Sequence, residues 1–343
     1  MYSGRRYSLW ATLLWSRSQL IWPAIWALAL TIAYQELDWT WIGLPWLPLS
    51  LVGIAVAFYL GFKNNASYDR MWEARKLWGG IVNASRAIAI SARDLVTFVP
   101  GERELHTDHD TAVDPKQEWE QIVRRHVAWL DALRHALRAP RDWEHRGEKY
   151  DRLRKKAQVP ELQEDLRTVL TASVGEEEAD EVLSTENACS ALLGNQSKTF
   201  ARLRDQGFLD GFSHMQLQSR VDELLGLQGG CERIKNFPFP RQYATVNIIF
   251  ARLLVLLIPC GMLQEFSTMA TVSNWATVPF SAIASWVFLS SAQIGHWSEN
   301  PFEGLANDIP ISSMSRAIER ELLGWTGVTD LPDPRPVRGR IML

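Results

Sequence analysis

Long apolar segments near both ends of the chain constrain its fold more than any other sequence feature. Residues 20–37 carry no charge before Glu36, and residues 44–62 follow after a short linker rich in tryptophan. A third apolar run covers residues 253–263 and is extended upstream, beyond Arg252, by residues 245–250; a fourth covers residues 275–294. At a rise of about 1.5 Å per residue, each run has close to the length that spans the roughly 30 Å hydrocarbon core of a bilayer. We therefore predict four transmembrane helices, which form two hairpins.

Charged residues are concentrated between the two hairpins. This middle region is rich in helix-forming residues, with few β-branched runs and no Asn-Gly hairpin turn. We predict an all-α integral membrane protein with four transmembrane helices per subunit and a helical cytoplasmic block; a soluble protein with four buried helices is the alternative. The predicted segments are an N-terminal segment (1–19), a transmembrane hairpin (20–62) that includes the helix 44–62, a helical cytoplasmic region (63–243), a second transmembrane hairpin (244–294) and a C-terminal segment (295–343).

Basic residues predict the orientation of the hairpins, because lysine and arginine favour the cytoplasmic side of a membrane. The short linkers around Asp38 and Ser267 contain neither residue. Both termini and the middle region are therefore predicted to be cytoplasmic, in a multi-pass protein of the inner (plasma) membrane. With 36 basic and 39 acidic residues, the net charge of -3 argues against a nucleic-acid partner bound through bulk charge. The basic residues that flank the first hairpin are Arg5, Arg6, Arg17, Lys63, Arg70, Arg75 and Lys76.

Recognisable enzyme motifs are missing from the sequence. It contains no phosphate-binding or dinucleotide-binding glycine loop, no hydrolase nucleophile elbow and no zinc-protease motif. His106 and His109 could bind a metal opportunistically, but a polar surface loop is the simpler interpretation. Cys189, Cys231 and Cys260 are odd in number and lack CxxC spacing, which argues against a disulfide framework or a cysteine zinc site. We therefore predict a protein that is not an enzyme and uses no cofactor and no metal.

The second predicted span carries two stripes at helical spacing. Ile54, Phe58 and Phe62 recur every four residues and so share one helix face. A ridge of small residues, which allows close helix packing in membranes, lies one position back. In a symmetric ring the apolar stripe would form a narrow constriction that gates by dewetting. The alternative is that these side chains face lipid or the core of a helix bundle. The residues of the small ridge are Gly53, Ala57 and Gly61.

The segment that follows this span resembles the bestrophin family of ion channels, in its bacterial branch. Residues 61–86 read GFKNNASYDRMWEARKLWGGIVNASR, in which Met71 departs from the family pattern. Glu299-Asn-Pro-Phe, Asn307-Asp-Ile-Pro and the helix after Arg316 form a second match, and Phe237-Pro-Phe-Pro forms a third. The resemblance covers most of the chain except about residues 100–185. The matching residues of the first segment are Asn65, Tyr68, Arg70, Trp72, Glu73, Arg75, Leu77, Trp78 and Gly79.

The resemblance implies a homopentamer in the lipid bilayer, with one central pore for chloride or other small ions. The family's neck residues correspond by position to the apolar stripe found from spacing, and the family's second constriction, at the cytoplasmic exit, corresponds to Met215. Animal members are activated by calcium through an acidic cluster after Asn-Pro-Phe. Here Glu303 and Asp308 remain, but the dense acidic run is missing, so we do not expect a calcium site.

Selectivity is left open by the sequence, because an apolar neck supplies no charge filter. The family favours an anion channel that conducts passively; a channel for monovalent cations is the alternative within the bacterial branch. A scaffold or sensor that does not conduct is the alternative from another class. For Arg70 and Glu73, structural salt bridges are an equally good interpretation. The candidate vestibule charges are Glu36, Asp38, Lys63, Asp69, Arg70 and Glu73.

Overall fold

The computed structural model of the chain describes residues 1–97, 114–269, 272–338 and 340–343. His106 and His109 lie outside the described residues. Apart from isolated β-bridges near the two termini, the regular structure in the described part of the chain is helical, which confirms the predicted all-α class. The helices are α1 (Leu9–Glu36), α2 (Trp46–Leu95), α3 (Pro115–Arg138), α4 (Glu148–Ala157), α5 (Leu166–Val174), α6 (Glu176–Leu183), α7 (Ala188–Asp205), α8 (Gly211–Asn236), α9 (Arg241–Thr268), α10 (Thr277–Trp297) and α11 (Ile311–Thr326).

These helices fall into two compact units. The first consists of residues 4–71 and 238–300, and the second consists of residues 1–3, 72–237 and 301–343. Among the described residues, α2, α9 and α10 are long and apolar enough to cross a membrane. The remaining predicted span lies within α1, where tryptophan and glutamine side chains make the composition less apolar.

Helix α2 does not end with the predicted span at residue 62. It continues through the charged sequence to Leu95 and contains 50 residues. At about 1.5 Å per residue this corresponds to roughly 75 Å, more than twice the thickness of the hydrocarbon core. After Pro48, in the first turn, no proline interrupts the helix, and the segment after Phe62 is rich in good helix formers such as alanine and arginine. The boundary between the two units falls within this helix.

The second unit is built around α3, which packs against α5, α7, α8 and α11. Asp114 caps the start of α3 by accepting a hydrogen bond from the backbone N–H of Lys116, and Pro115 occupies the first helical position. The helix is buried along most of its length, with Trp129 and Leu133 fully buried. These side chains fix α3 as the central element of a helical core.

Candidate pore-lining face of α2

The apolar stripe of α2 is exposed in the isolated chain. Ile54, Phe58 and Phe62 are 60%, 67% and 61% exposed. Leu47 and Leu51 extend the exposed stripe toward the start of the helix. The rings of Phe58 and Phe62 lie next to each other, with their centroids 5.8 Å apart. Five large apolar side chains at helical spacing thus form one continuous surface that no part of the described chain covers.

The opposite face of α2 packs against α9 and fixes the rotation of the helix. Leu49, Val56 and Leu60 are buried there. They form one apolar cluster with residues of α9, and Val56 and Leu60 are each 4% exposed. Because this face is held within the chain, the stripe of Ile54 and the two phenylalanines points away from the helices of its own unit. The α9 members of the cluster are Ala251, Leu254 and Ile258.

Only part of the small-residue ridge lies against other residues of the chain. A methyl group added at Gly53 would lie 3.8 Å from Leu254, in ordinary contact. At Gly61, an added methyl group would meet no other atom within 4 Å, and Ala57 is exposed. The C-terminal half of the ridge therefore presents bare backbone that a neighbouring helix could approach closely.

Lys63 does not lie where the sequence interpretation placed it. We expected a candidate vestibule charge, but its side chain is fully buried, and Nζ lies 2.6 Å from Oε1 of Glu299. Glu299 is 1% exposed and follows the end of α10. The next residue, Asn64, donates a hydrogen bond through Nδ2 to the carbonyl of Ser291 at 3.1 Å. Since Lys63 is enclosed in an ion pair, it leaves the set of charges that could line a vestibule.

The other candidate charges occupy different environments. Glu36 and Asp38 are exposed, and Asp38 has a left-handed backbone conformation with φ of 54° in the linker after α1. Asp69 is exposed and Arg70 is half-buried. Glu73 forms an ion pair with an arginine of α8, so this carboxylate has a salt-bridge partner within the chain. Glu36, Asp38 and Asp69 therefore remain as exposed acidic candidates.

Met215, the candidate for the second constriction, is 69% exposed on α8. Asp210 caps this helix, and its carboxylate accepts hydrogen bonds from the backbone N–H groups of Phe212 and Ser213. Phe212 is also exposed. The start of α8 thus displays two large apolar side chains that the described chain leaves exposed.

Glu303 and Asp308 already have partners within the chain, and Nη1 of Arg138 lies 3.8 Å from the carboxylate of Asp308. His145 donates to Glu303 through its backbone N–H at 3.0 Å, and its Nδ1 lies 2.8 Å from the carboxylate. The guanidinium of Arg154 donates to the carbonyl of Glu303 at 3.1 Å. Asp308 accepts a hydrogen bond from Leu305, and burial raises the pKa of Asp308 to about 6. Within the described residues, no group of three or more His, Cys, Asp or Glu side chains is arranged to hold a metal ion.

Three comparisons place these observations among known proteins. The family described as "Bacterial/Fungal Bestrophin protein" matches residues 13–324. The voltage-dependent anion channel-forming protein YneE of Salmonella typhi is 27% identical over 288 residues, 84% of this chain and 79% of that protein. A voltage-dependent anion channel-forming protein of Ralstonia nicotianae is 28% identical over 301 residues, 88% of this chain and 84% of that protein. The crystal structure of a bacterial bestrophin homologue from Klebsiella pneumoniae shares 28% identity with a TM-score of 0.73, covering 91% of this chain and 98% of that one.

Proposed function

This chain belongs to the bacterial and fungal bestrophin family, and from that premise we propose that it forms a pentameric anion channel in the inner membrane. Its relatives are named as anion channel-forming proteins, not as enzymes, which supports passive conduction of chloride or other small anions. In this arrangement five subunits surround one axis, and both termini of each subunit are cytoplasmic. No nucleotide-binding motif couples ion movement to ATP.

The exposed stripe of α2 is the observation that carries this proposal. Ile54, Phe58 and Phe62 point away from a face that is already packed, and the small ridge beside them admits a neighbouring helix. Around a five-fold axis, each level of the stripe becomes a ring of apolar side chains. A narrow apolar ring empties of water readily, so a small widening both wets it and opens it to ions.

Met215 is proposed as the second constriction. Its exposure on α8 supplies one apolar side chain per subunit, which in a pentamer makes a further ring. Met215→Ala should widen this ring and raise the anion flux or relax the discrimination between anions of different size. If the fluxes of chloride, nitrate and thiocyanate are the same in Met215→Ala as in wild type, Met215 does not line the conduction path.

A cation-selective channel of the same architecture is the second candidate. The burial of Lys63 favours it, because one basic group is withdrawn while Glu36, Asp38 and Asp69 stay exposed. Charges near the mouths of an apolar neck raise the local concentration of ions of opposite sign. The names of the relatives favour anions, so we retain anion conduction as the proposal.

Mass and ion flux test the proposal together. Purified protein in detergent should have five times the mass of one chain by light scattering, after correction for bound detergent. Proteoliposomes that contain it should release chloride when a potassium ionophore balances the charge, and protein-free vesicles should not. A monomeric mass contradicts the ring, and absence of flux from pentameric protein favours a scaffold or sensor.

A further inference from the structure

We propose that Lys63 and Glu299 form a positioning pair that sets the rotation of α2 at the neck, so that the state of the pair controls how often the channel is open. This inference rests on the proposed channel function and adds a control element to the same site. Neither residue touches the ions in this proposal, because both side chains are enclosed within the chain.

The pair lies directly beside the last residue of the neck. Phe62 and Lys63 are consecutive, so their side chains point about 100° apart around the helix. Phe62 is 61% exposed, whereas the side chain of Lys63 is fully buried. The same turn of α2 thus carries a neck side chain on one face and a buried cation on another. Any rotation that moves Nζ of Lys63 also moves the ring of Phe62.

Glu299 is the partner on which Lys63 depends. The ion-pair distance is 2.6 Å, but Nζ makes no well-directed hydrogen bond to any other group of the described chain. Burial favours the neutral carboxyl of Glu299, yet contacts with His296 and Lys63 outweigh it and keep the pKa of Glu299 below its ordinary value. His296 approaches the same carboxylate oxygen through Nδ1 at 3.4 Å. A buried ammonium without this carboxylate would be strongly unfavourable.

Helices α2 and α10 approach each other closely at the level of Lys63. Besides the ion pair, Asn64 donates to the carbonyl of Ser291 on α10. A methyl group added at Gly295 would collide with Oδ1 of Asn64 and lie 3.5 Å from the Lys63 side chain. Two consecutive residues of α2 are thus tied to α10, immediately after the neck.

Removal of the negative charge by substitution, as in Glu299→Gln, reveals a second arrangement of α2 at the neck. If Glu299 is neutral, the ammonium of Lys63 is buried without a counterion, and α2 relieves this by turning Nζ toward water. The same rotation carries Phe62 away from its position in the ring. The ion pair therefore stabilises one neck geometry, and its loss shifts the population toward another.

Single-channel recording in planar bilayers tests the proposal with Glu299→Gln, the charge swap Lys63→Glu with Glu299→Lys, and Glu321→Gln as control. Glu321 lies on α11 and forms an exposed ion pair with Arg86, which lies on α2 as Lys63 does. We expect Glu299→Gln to change the open probability by about ten-fold or more, since breaking one side of a buried pair costs well over the energy of a ten-fold shift. The unitary conductance and reversal potential should stay as in the wild type. The swap should restore most of the original open probability, and the control should resemble the wild type.

Several results overturn the proposal. Wild-type gating in assembled Glu299→Gln contradicts it, and so does a changed reversal potential, which would mean that the charge faces the pore. A swap that assembles but fails to restore gating also contradicts it. If Glu299→Gln does not assemble, the double variant Lys63→Met with Glu299→Met leaves no unpaired charge; altered open probability then supports the proposal and unaltered gating overturns it. A silent wild type refutes the channel function itself, which is a separate outcome.

Discussion

Replacing Phe58 by alanine separates a pore-lining role from a packing role. A phenylalanine that is fully buried costs about 3–5 kcal/mol when it is truncated to alanine. Phe58 is 67% exposed in the chain, so only about a third of that value, roughly 1–1.7 kcal/mol, is at stake for the fold of the subunit. Leu60 is 4% exposed on the opposite face, and Leu60→Ala should cost about 2–5 kcal/mol. Thermal unfolding in detergent should therefore show a small loss for Phe58→Ala and a large one for Leu60→Ala.

Ion flux should rank the same two variants in the reverse order. In the proposed pentamer, Phe58→Ala removes one aromatic side chain per subunit from the constriction, which widens the neck and favours its wetting. A ten-fold faster chloride efflux corresponds to a barrier lower by about 1.4 kcal/mol, and we expect at least this change from five truncated side chains. Efflux from proteoliposomes with equal amounts of pentamer provides the measurement. Equal efflux in wild type and Phe58→Ala, or equal destabilisation by Phe58→Ala and Leu60→Ala, would refute the reasoning.

Three further predictions concern titration, thiol reactivity and the outer charges. Burial raises the pKa of Asp308 from 3.8 to about 6, so its contribution to stability is complete below pH 3.8 and is lost as the pH rises through 6. The stability of Asp308→Asn relative to wild type should therefore increase by about 3 kcal/mol between pH 4 and pH 7, from about two pKa units at 1.36 kcal/mol each. A difference in unfolding midpoints that does not depend on pH would contradict this. Burial raises the pKa of Cys189 and of Cys231 to about 12, so a maleimide at pH 8 should modify them only after unfolding, as mass spectrometry will show. Glu36→Gln with Asp38→Asn should move the reversal potential toward the chloride equilibrium value if these carboxylates flank the outer mouth, and an unchanged potential excludes them.

The sequence predicted those features that depend on local periodicity. The stripe of Ile54, Phe58 and Phe62 could be identified because a helix repeats every 3.6 residues and the burial of one face exposes the other. The end of α2 could not be placed, because the change from apolar to charged residues after Phe62 marks a change of surroundings and not a break in the helix. Without an internal proline after the first turn, the hydrogen-bonded backbone continues to Leu95.

Partners distant in the sequence were beyond the reach of pattern analysis. Lys63 was a candidate vestibule charge because it directly follows Phe62 on the same broad side of the helix. Its ion-pair partner, Glu299, is 236 positions away and could not be found from local spacing. Likewise, the motif around Glu303 indicated carboxylates without the side chains that pair with them. His145 and Arg154 come from a segment that the resemblance did not cover. Only the tertiary structure shows that these charges are already satisfied.

The reversal potential of purified protein in a planar bilayer, under a gradient of sodium chloride, tests the central claim most directly. We predict a potential close to the chloride equilibrium value in wild type, and the same sign in Phe58→Ala with a larger current. A potential close to the sodium equilibrium value would contradict anion conduction and direct attention to Glu36, Asp38 and Asp69. Absence of current from both proteins would contradict the channel itself.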